Sequence, residues 1–284
     1  MNTLTASSRA EFLRLRTWPS LWVLLSAWLV LNLTFVYVFN YLTYRSDGGT
    51  GFGAAVPRSV LLARMLPGAV PEVLTQGMAM FGGALILTLG ALAAGSGYGW
   101  GTWKTALTQG PGRLTAIGGT LVALAVVVAA LVVVVFAVDL GVSSIVAGAE
   151  SQPMRLPWVG DSARAIGAGM LILGMWTACG VLIGTLARGP ALAVGLGLVW
   201  VLVVENLLRG VGAVLDPIRF VTDYLPGTAA GSLAGGLGGA ASDAERTPGV
   251  LTVLGPGLAA AVLAVYLVVF VVATAVVLRR RDVD

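Results

Sequence analysis

Gly99-Trp-Gly-Thr-Trp-Lys-Thr-Ala-Leu-Thr-Gln-Gly-Pro-Gly-Arg113 decides how this chain is read. It contains Lys104, the only lysine, and two hydrocarbon runs flank it, 73–94 before and 114–138 after. Each flank exceeds the ~20 apolar residues needed to cross a bilayer. A short amphipathic insert between two spans is a place where a soluble partner can push on a membrane protein.

Composition agrees with that frame. The 284 residues are 57% hydrophobic and 11% charged, with a mean hydropathy of +0.92. Soluble domains carry about 25% charged residues. The expectation is an all-α integral membrane protein forming one transmembrane domain over 1–284. Lys and Arg number 17 against 13 Asp and Glu, an excess that sets orientation in a membrane and does not call for nucleic acid. The single cysteine, Cys179, leaves no intrachain disulfide, and the lack of histidine removes the commonest proton relay and metal ligand. Sixteen of the seventeen basic residues are Arg, and Ala, Gly and Val are abundant, as in GC-rich bacterial genomes.

Working outward from the insert, six apolar runs reach spanning length: about 21–44, 73–94, 114–138, 166–187, 191–208 and 255–278. The Val-rich run 126–135 is too long and too free of turn residues to be a buried strand. Six spans put both termini on one side. The tails and the two short loops on that side hold nine basic residues, ending with Arg279, Arg280 and Arg281. Both ends and 99–113 are therefore expected to face the cytoplasm of a bacterial inner membrane.

At the N-terminus, Ser8 stands three residues before Glu11, the spacing of a capping box. Phe12, Leu15 and Trp18 share one side of the helix with Leu4, while Arg9 and Arg16 lie opposite. With Arg14, these residues predict an interfacial helix over 7–18. The alternative is a solvated basic tail that only sets topology. No small-residue cleavage site follows, so a secretory signal does not fit.

The stretches 45–71 and 139–163 are expected as outer loops. Segment 209–254 holds apolar pieces too short to cross, broken by Asp216-Pro217, and is expected to re-enter the membrane from outside. Its Gly/Ala/Ser run, 231–242, is expected to be a mobile link. Gly180 and Gly184 have GxxxG spacing in span four.

No enzyme signature is present. Lys104-Thr105 suggests a phosphate loop, but Trp103 stands where the backbone needs glycine. A Ser/His/Asp triad is impossible without histidine. Ionisable groups near hydrocarbon deserve weighing, because burying one is expensive. Glu205 and Asn206 are candidates for a polar exit path. Glu72 and Asp139 fit better as markers of where a helix meets water, and Arg209 is spaced to pair with Glu205.

These features together resemble the permease subunits of ATP-binding-cassette exporters, of the second type. The most specific parts are Tyr98-Gly-Trp-Gly-Thr-Trp-Lys-Thr-Ala-Leu107, Gly110-Pro-Gly-Arg113 and Leu278-Arg-Arg-Arg-Asp-Val283; Tyr224-Leu-Pro226 matches more weakly. The family's loop commonly begins with an acidic residue where Gly97 stands here. The resemblance implies two permease copies and two copies of a separate ATPase, which binds ATP and Mg; this subunit would hold no cofactor and would not be catalytic alone. Gly101, Thr102, Trp103, Lys104, Ala106, Leu107 and Arg113 would form the coupling element on that ATPase. Spans one and five would face the second permease. An amphipathic or lipophilic substrate (drug, antibiotic or lipid) would move outward through the cleft between the copies. The rival expectations are an ion-coupled secondary transporter and a non-transporting structural membrane protein.

Overall fold

The computed structural model describes residues 3–46, 56–99, 112–237 and 249–280. These residues form helices and connecting turns, with no strand among them. Five helices are long and apolar enough to cross a membrane. They are α2 (Pro19–Arg45), α5 (Arg113–Ala149), α6 (Val159–Ala187), α7 (Pro190–Gly212) and α10 (Pro256–Arg280). The others are α1 (Thr3–Thr17), α3 (Arg58–Arg64), α4, α8 (Asp216–Thr222) and α9 (Pro226–Leu237). Helix α4 runs without a break from Val70–Gly77 through a π-turn, Met78–Gly82, into Gly83–Gly99. Similar π-turns lie in α2 at Thr34–Val38 and in α7 at Trp200–Val204. The expected coupling residues 101–107 fall outside the described residues.

Start signals are simple. Proline opens α2, α7, α9 and α10, where its missing N–H costs nothing and its fixed φ suits the first turn. Arg188, with φ 51°, ends α6 in the left-handed region, and Gly189 and Pro190 then turn the chain straight into α7.

Several boundaries differ from expectation. The region 139–149 belongs to α5, not to an outer loop, because Leu, Val, Ala and small residues there carry the apolar pattern past Asp139. At 37 residues α5 is about 55 Å long, well beyond a ~30 Å hydrocarbon layer. Helix α6 starts at Val159, earlier than expected, with Trp158 at its N-cap. Ser8 is not an N-cap: α1 already begins at Thr3, and the Ser8 hydroxyl donates back to the Leu4 carbonyl at 2.9 Å. The glycine-rich run is no free link over 231–237; it is helical, part of α9, and buried as far as Ala234.

The core is the pair α4 and α6, and small residues make it. A Cβ on Gly184 would fall 2.7 Å from the Ala91 carbonyl, and one on Gly180 would meet the Leu87 carbonyl. In α4, Gly90 lies against the Thr177 carbonyl and Gly95 against Pro190. Between apolar helices in lipid the gain comes from close van der Waals contact, and glycine permits it. The register 83–176, 87–180, 91–184 makes the two helices parallel. Helix α4 is antiparallel to α2, since Gly77 faces Asn32 and Gly82 faces Trp28. It is likewise antiparallel to α7, since Gly95 faces Pro190 and Leu87 faces Gly197.

Candidate functional site

Polar and charged side chains gather at four places along the bundle. The first is the end where α4 finishes and α5 begins. Here α1 lies in a notch on α5: a Cβ on Gly119 would come 2.9 Å from Ser7, and one on Gly118 3.1 Å from Leu4. Leu15 is fully buried, while Phe12 and Leu13 stay 43% and 61% exposed. Arg14 donates to the Ala93 carbonyl of α4 at 3.1 Å and pairs with Glu11 at 2.9 Å. Burial pushes the Glu11 carboxyl above its usual range, against the pull of the Arg14 charge and the Thr120 hydroxyl of α5. Glu11 interrupts the apolar stripe because that side of α1 faces protein. Of the predicted interfacial residues, Leu15 and Arg14 therefore dock the helix, while Phe12 and Arg16 remain exposed. Arg113 is the first residue of α5, at the same end.

The second place lies between α2 and α5. Asn32 of α2 and Asp139 of α5 are both fully buried. Asn32 Nδ2 donates to Asp139 Oδ1 at 2.8 Å, and the Tyr37 hydroxyl donates to the Asp139 carbonyl at 3.1 Å. Asn32 Oδ1, Asp139 Oδ2 and Trp28 Nε1 are buried without a hydrogen-bond partner. Asp139 thus does not mark a helix end. Tyr37, 4% exposed, is likewise inside the bundle. Two π-turns adjoin this cluster: Tyr37 lies in one, and the other follows Gly77, whose missing side chain leaves room for Asn32. Sequence reasoning passed over Asn32, although a lone amide amid Leu and Val in a span was the available signal.

Glu205 forms the third. It is fully buried in α7, directly after the third π-turn. Its Oε1 accepts from Trp200 Nε1 at 3.2 Å and from the Gly227 backbone N–H at 3.3 Å. Gly227 is the second residue of α9, so Glu205 caps that helix from a distance and places an anion against its positive end. Oε2 and the neighbouring Thr228 hydroxyl have no partner. Cys179 of α6 and Tyr266 of α10 lie within electrostatic reach. Asn206 points elsewhere: it is exposed, donating to Leu202 and accepting from Arg209 at 3.0 Å. The Arg209 guanidinium reaches this amide and the Glu205 backbone carbonyl. Glu72 is half-buried, holding Gln76 at 2.9 Å.

The fourth is a clasp at the opposite end from α1. Glu150, after the last turn of α5, accepts from Tyr41 at 3.0 Å, Tyr44 at 3.1 Å and Arg45 at 2.8 Å. Arg45 also stacks over the Tyr41 ring at 5.4 Å. Desolvation pushes the Glu150 carboxyl up, but the two tyrosine hydroxyls and the Arg45 charge outweigh it and hold the carboxyl below its usual range.

Among the described residues no group of three or more His, Cys, Asp or Glu could hold a metal. What the arrangement can do is mechanical. The helix ends flanking 100–111 are tied to α1, and two buried carboxylates tie α2 to α5 and α7 to α9. No family model and no curated protein matches the chain.

Proposed function

We propose that this chain is the permease subunit of an ATP-driven exporter, working with a second permease copy and a separate ATPase. One observation carries the reading: the stretch 100–111 joins the ends of α4 and α5, and α1 is locked to both by Arg14 on Ala93 and by Leu4 and Ser7 on Gly118 and Gly119. A push on 100–111 therefore moves three helices at once. Six spans follow if α4 crosses too. Its 30 helical residues, about 45 Å, and its antiparallel fit to α2 and α7 support that. The re-entrant reading of 209–254 is supported by α9. Its first turn abuts Glu205 and its last abuts Pro256, about 15 Å along α10 from Tyr266. The segment after it covers α9's backbone, with Leu251 N donating to the Gly231 carbonyl at 3.0 Å. Substrate moves outward through the cleft between the copies, toward which α2 and α7 turn their lipid-level apolar faces.

A second reading is an ion-coupled carrier, and the buried Asp139 and Glu205 favour it, since intramembrane carboxylates carry protons and cations in such proteins. Transport in inside-out vesicles separates the two. With lipophilic dyes as probe, the exporter moves dye on ATP addition and keeps doing so with a protonophore present. Uptake that needs an ion gradient and ignores ATP overturns it.

A further inference from the structure

We infer that the groove between α1, α2 and α5 binds an anionic phospholipid of the cytoplasmic leaflet, acyl chain inside and phosphate on Arg16. The groove has a volume of about 550 Å³ and is apolar almost throughout. Phe12 and Leu15 of α1, Trp22 and Leu25 of α2, and Val126 of α5 line it, together with the exposed Arg16. Trp22 Nε1 donates to the Arg16 carbonyl at 2.8 Å, which ties the corner between α1 and α2 beside the groove. A second apolar hollow of about 480 Å³ lies across Phe12, with Arg9 at its edge.

Charge complementarity identifies the occupant. Arg14 is paired with Glu11, but the Arg9 and Arg16 side chains have no hydrogen-bond or ion-pair partner among the described residues. Seven residues apart, they lie on one face of α1 about 10 Å from each other. Each arginine can lay its methylene stem along the apolar wall and raise its guanidinium to headgroup level. A guanidinium meets a phosphate diester through paired N–H donors. A neutral or zwitterionic amphiphile leaves these charges uncompensated, and a soluble phosphate leaves the apolar groove unfilled. The inference does not depend on what the protein transports.

The experiment is a lipid titration of the full chain in mild detergent, read by native mass spectrometry. The probes are phosphatidylglycerol and phosphatidylcholine of identical chains. Phosphatidylglycerol is expected to bind at least about tenfold more tightly. Each arginine near the surface contributes about fivefold, so Arg16→Gln lowers phosphatidylglycerol affinity by that factor and phosphatidylcholine affinity by less, which narrows the preference. Arg16→Lys keeps most of the preference. Leu25→Trp, which fills the groove without altering charge, weakens both lipids. Inorganic phosphate at millimolar concentration does not displace the bound lipid. Equal affinities for the two lipids, or an unchanged preference in Arg16→Gln, overturn the inference. So does a dimer that excludes lipid and is lost in Leu25→Trp, because the occupant is then a second copy.

Discussion

At the scale of single residues, the bundle is joined by polar side chains that water cannot reach. Asn32 and Asp139 illustrate the energetics. Interhelical hydrogen bonds in membranes are worth roughly 0.6–2 kcal/mol, and stranding a buried acceptor adds to the cost of losing one. Asn32→Ala is predicted to cost about 1–2 kcal/mol, measured by equilibrium unfolding in detergent. Asp139→Asn retains the Oδ1 acceptor and is predicted to cost under about 0.5 kcal/mol. If Asp139→Asn leaves stability intact yet abolishes transport, the carboxylate itself is functional and the ion-coupled reading gains. The clasp at Glu150 is expected to respond to acid. Because the Glu150 carboxyl is held below its unfolded value, its contribution is present above about pH 4.3 and is lost as pH falls through the lowered value. Wild type is therefore predicted to exceed Glu150→Gln in thermal midpoint at neutral pH, with the gap closing towards pH 3. A gap independent of pH contradicts the assignment. Glu205 was legible in sequence as a charge beside hydrocarbon, but its role was not. Its partner is a backbone N–H 22 residues onward; Pro226 signals a helix start, but nothing in the sequence pairs that start with Glu205.

At the scale of elements, hydropathy marked the long helices well and their ends poorly. The apolar runs of α2, α5, α6, α7 and α10 were each visible as a stretch of spanning length. The extension of α5 to Ala149 was not, because Asp139 looked like a helix end until Asn32, 107 residues earlier, supplied its partner. Likewise Ser8 and Glu11 matched a capping box in spacing, yet helix propensity carried α1 back to Thr3 and turned Glu11 toward Thr120. The GxxxG pair was legible, though only the structure supplies its partner helix. It also supplies a control: Gly180 faces the α4 backbone, whereas a methyl group added at Gly174 on the same helix would have nothing within 4 Å. Gly180→Ala is predicted to cost roughly 1–3 kcal/mol by overpacking, and Gly174→Ala to stay within about 0.5 kcal/mol of wild type. Thermal unfolding in detergent checks both, and equal effects would refute the close packing of α4 on α6.

At the scale of the whole molecule, the helices divide by how much protein surrounds them. Helix α6 sits at the centre. Helices α2, α7 and α10 expose long rows of Val and Leu, such as Val265, Val268, Val269 and Val272 on α10. The clasp at Glu150 and the dock at Arg14 keep α2 and α1 attached at opposite ends. On the proposed function this frame would transmit a push from 100–111, and that proposal stands on there being something that pushes. Affinity purification of the tagged chain from its native membranes in mild detergent tests that directly. The account predicts that an ATP-binding-cassette ATPase co-purifies in a one-to-one ratio. Trp103→Ala removes it from folded permease and Lys104→Ala does not, because buried aromatic anchors dominate interfaces and rim charges add little. A folded chain that purifies with no ATPase, or that retains it equally in both variants, contradicts the account.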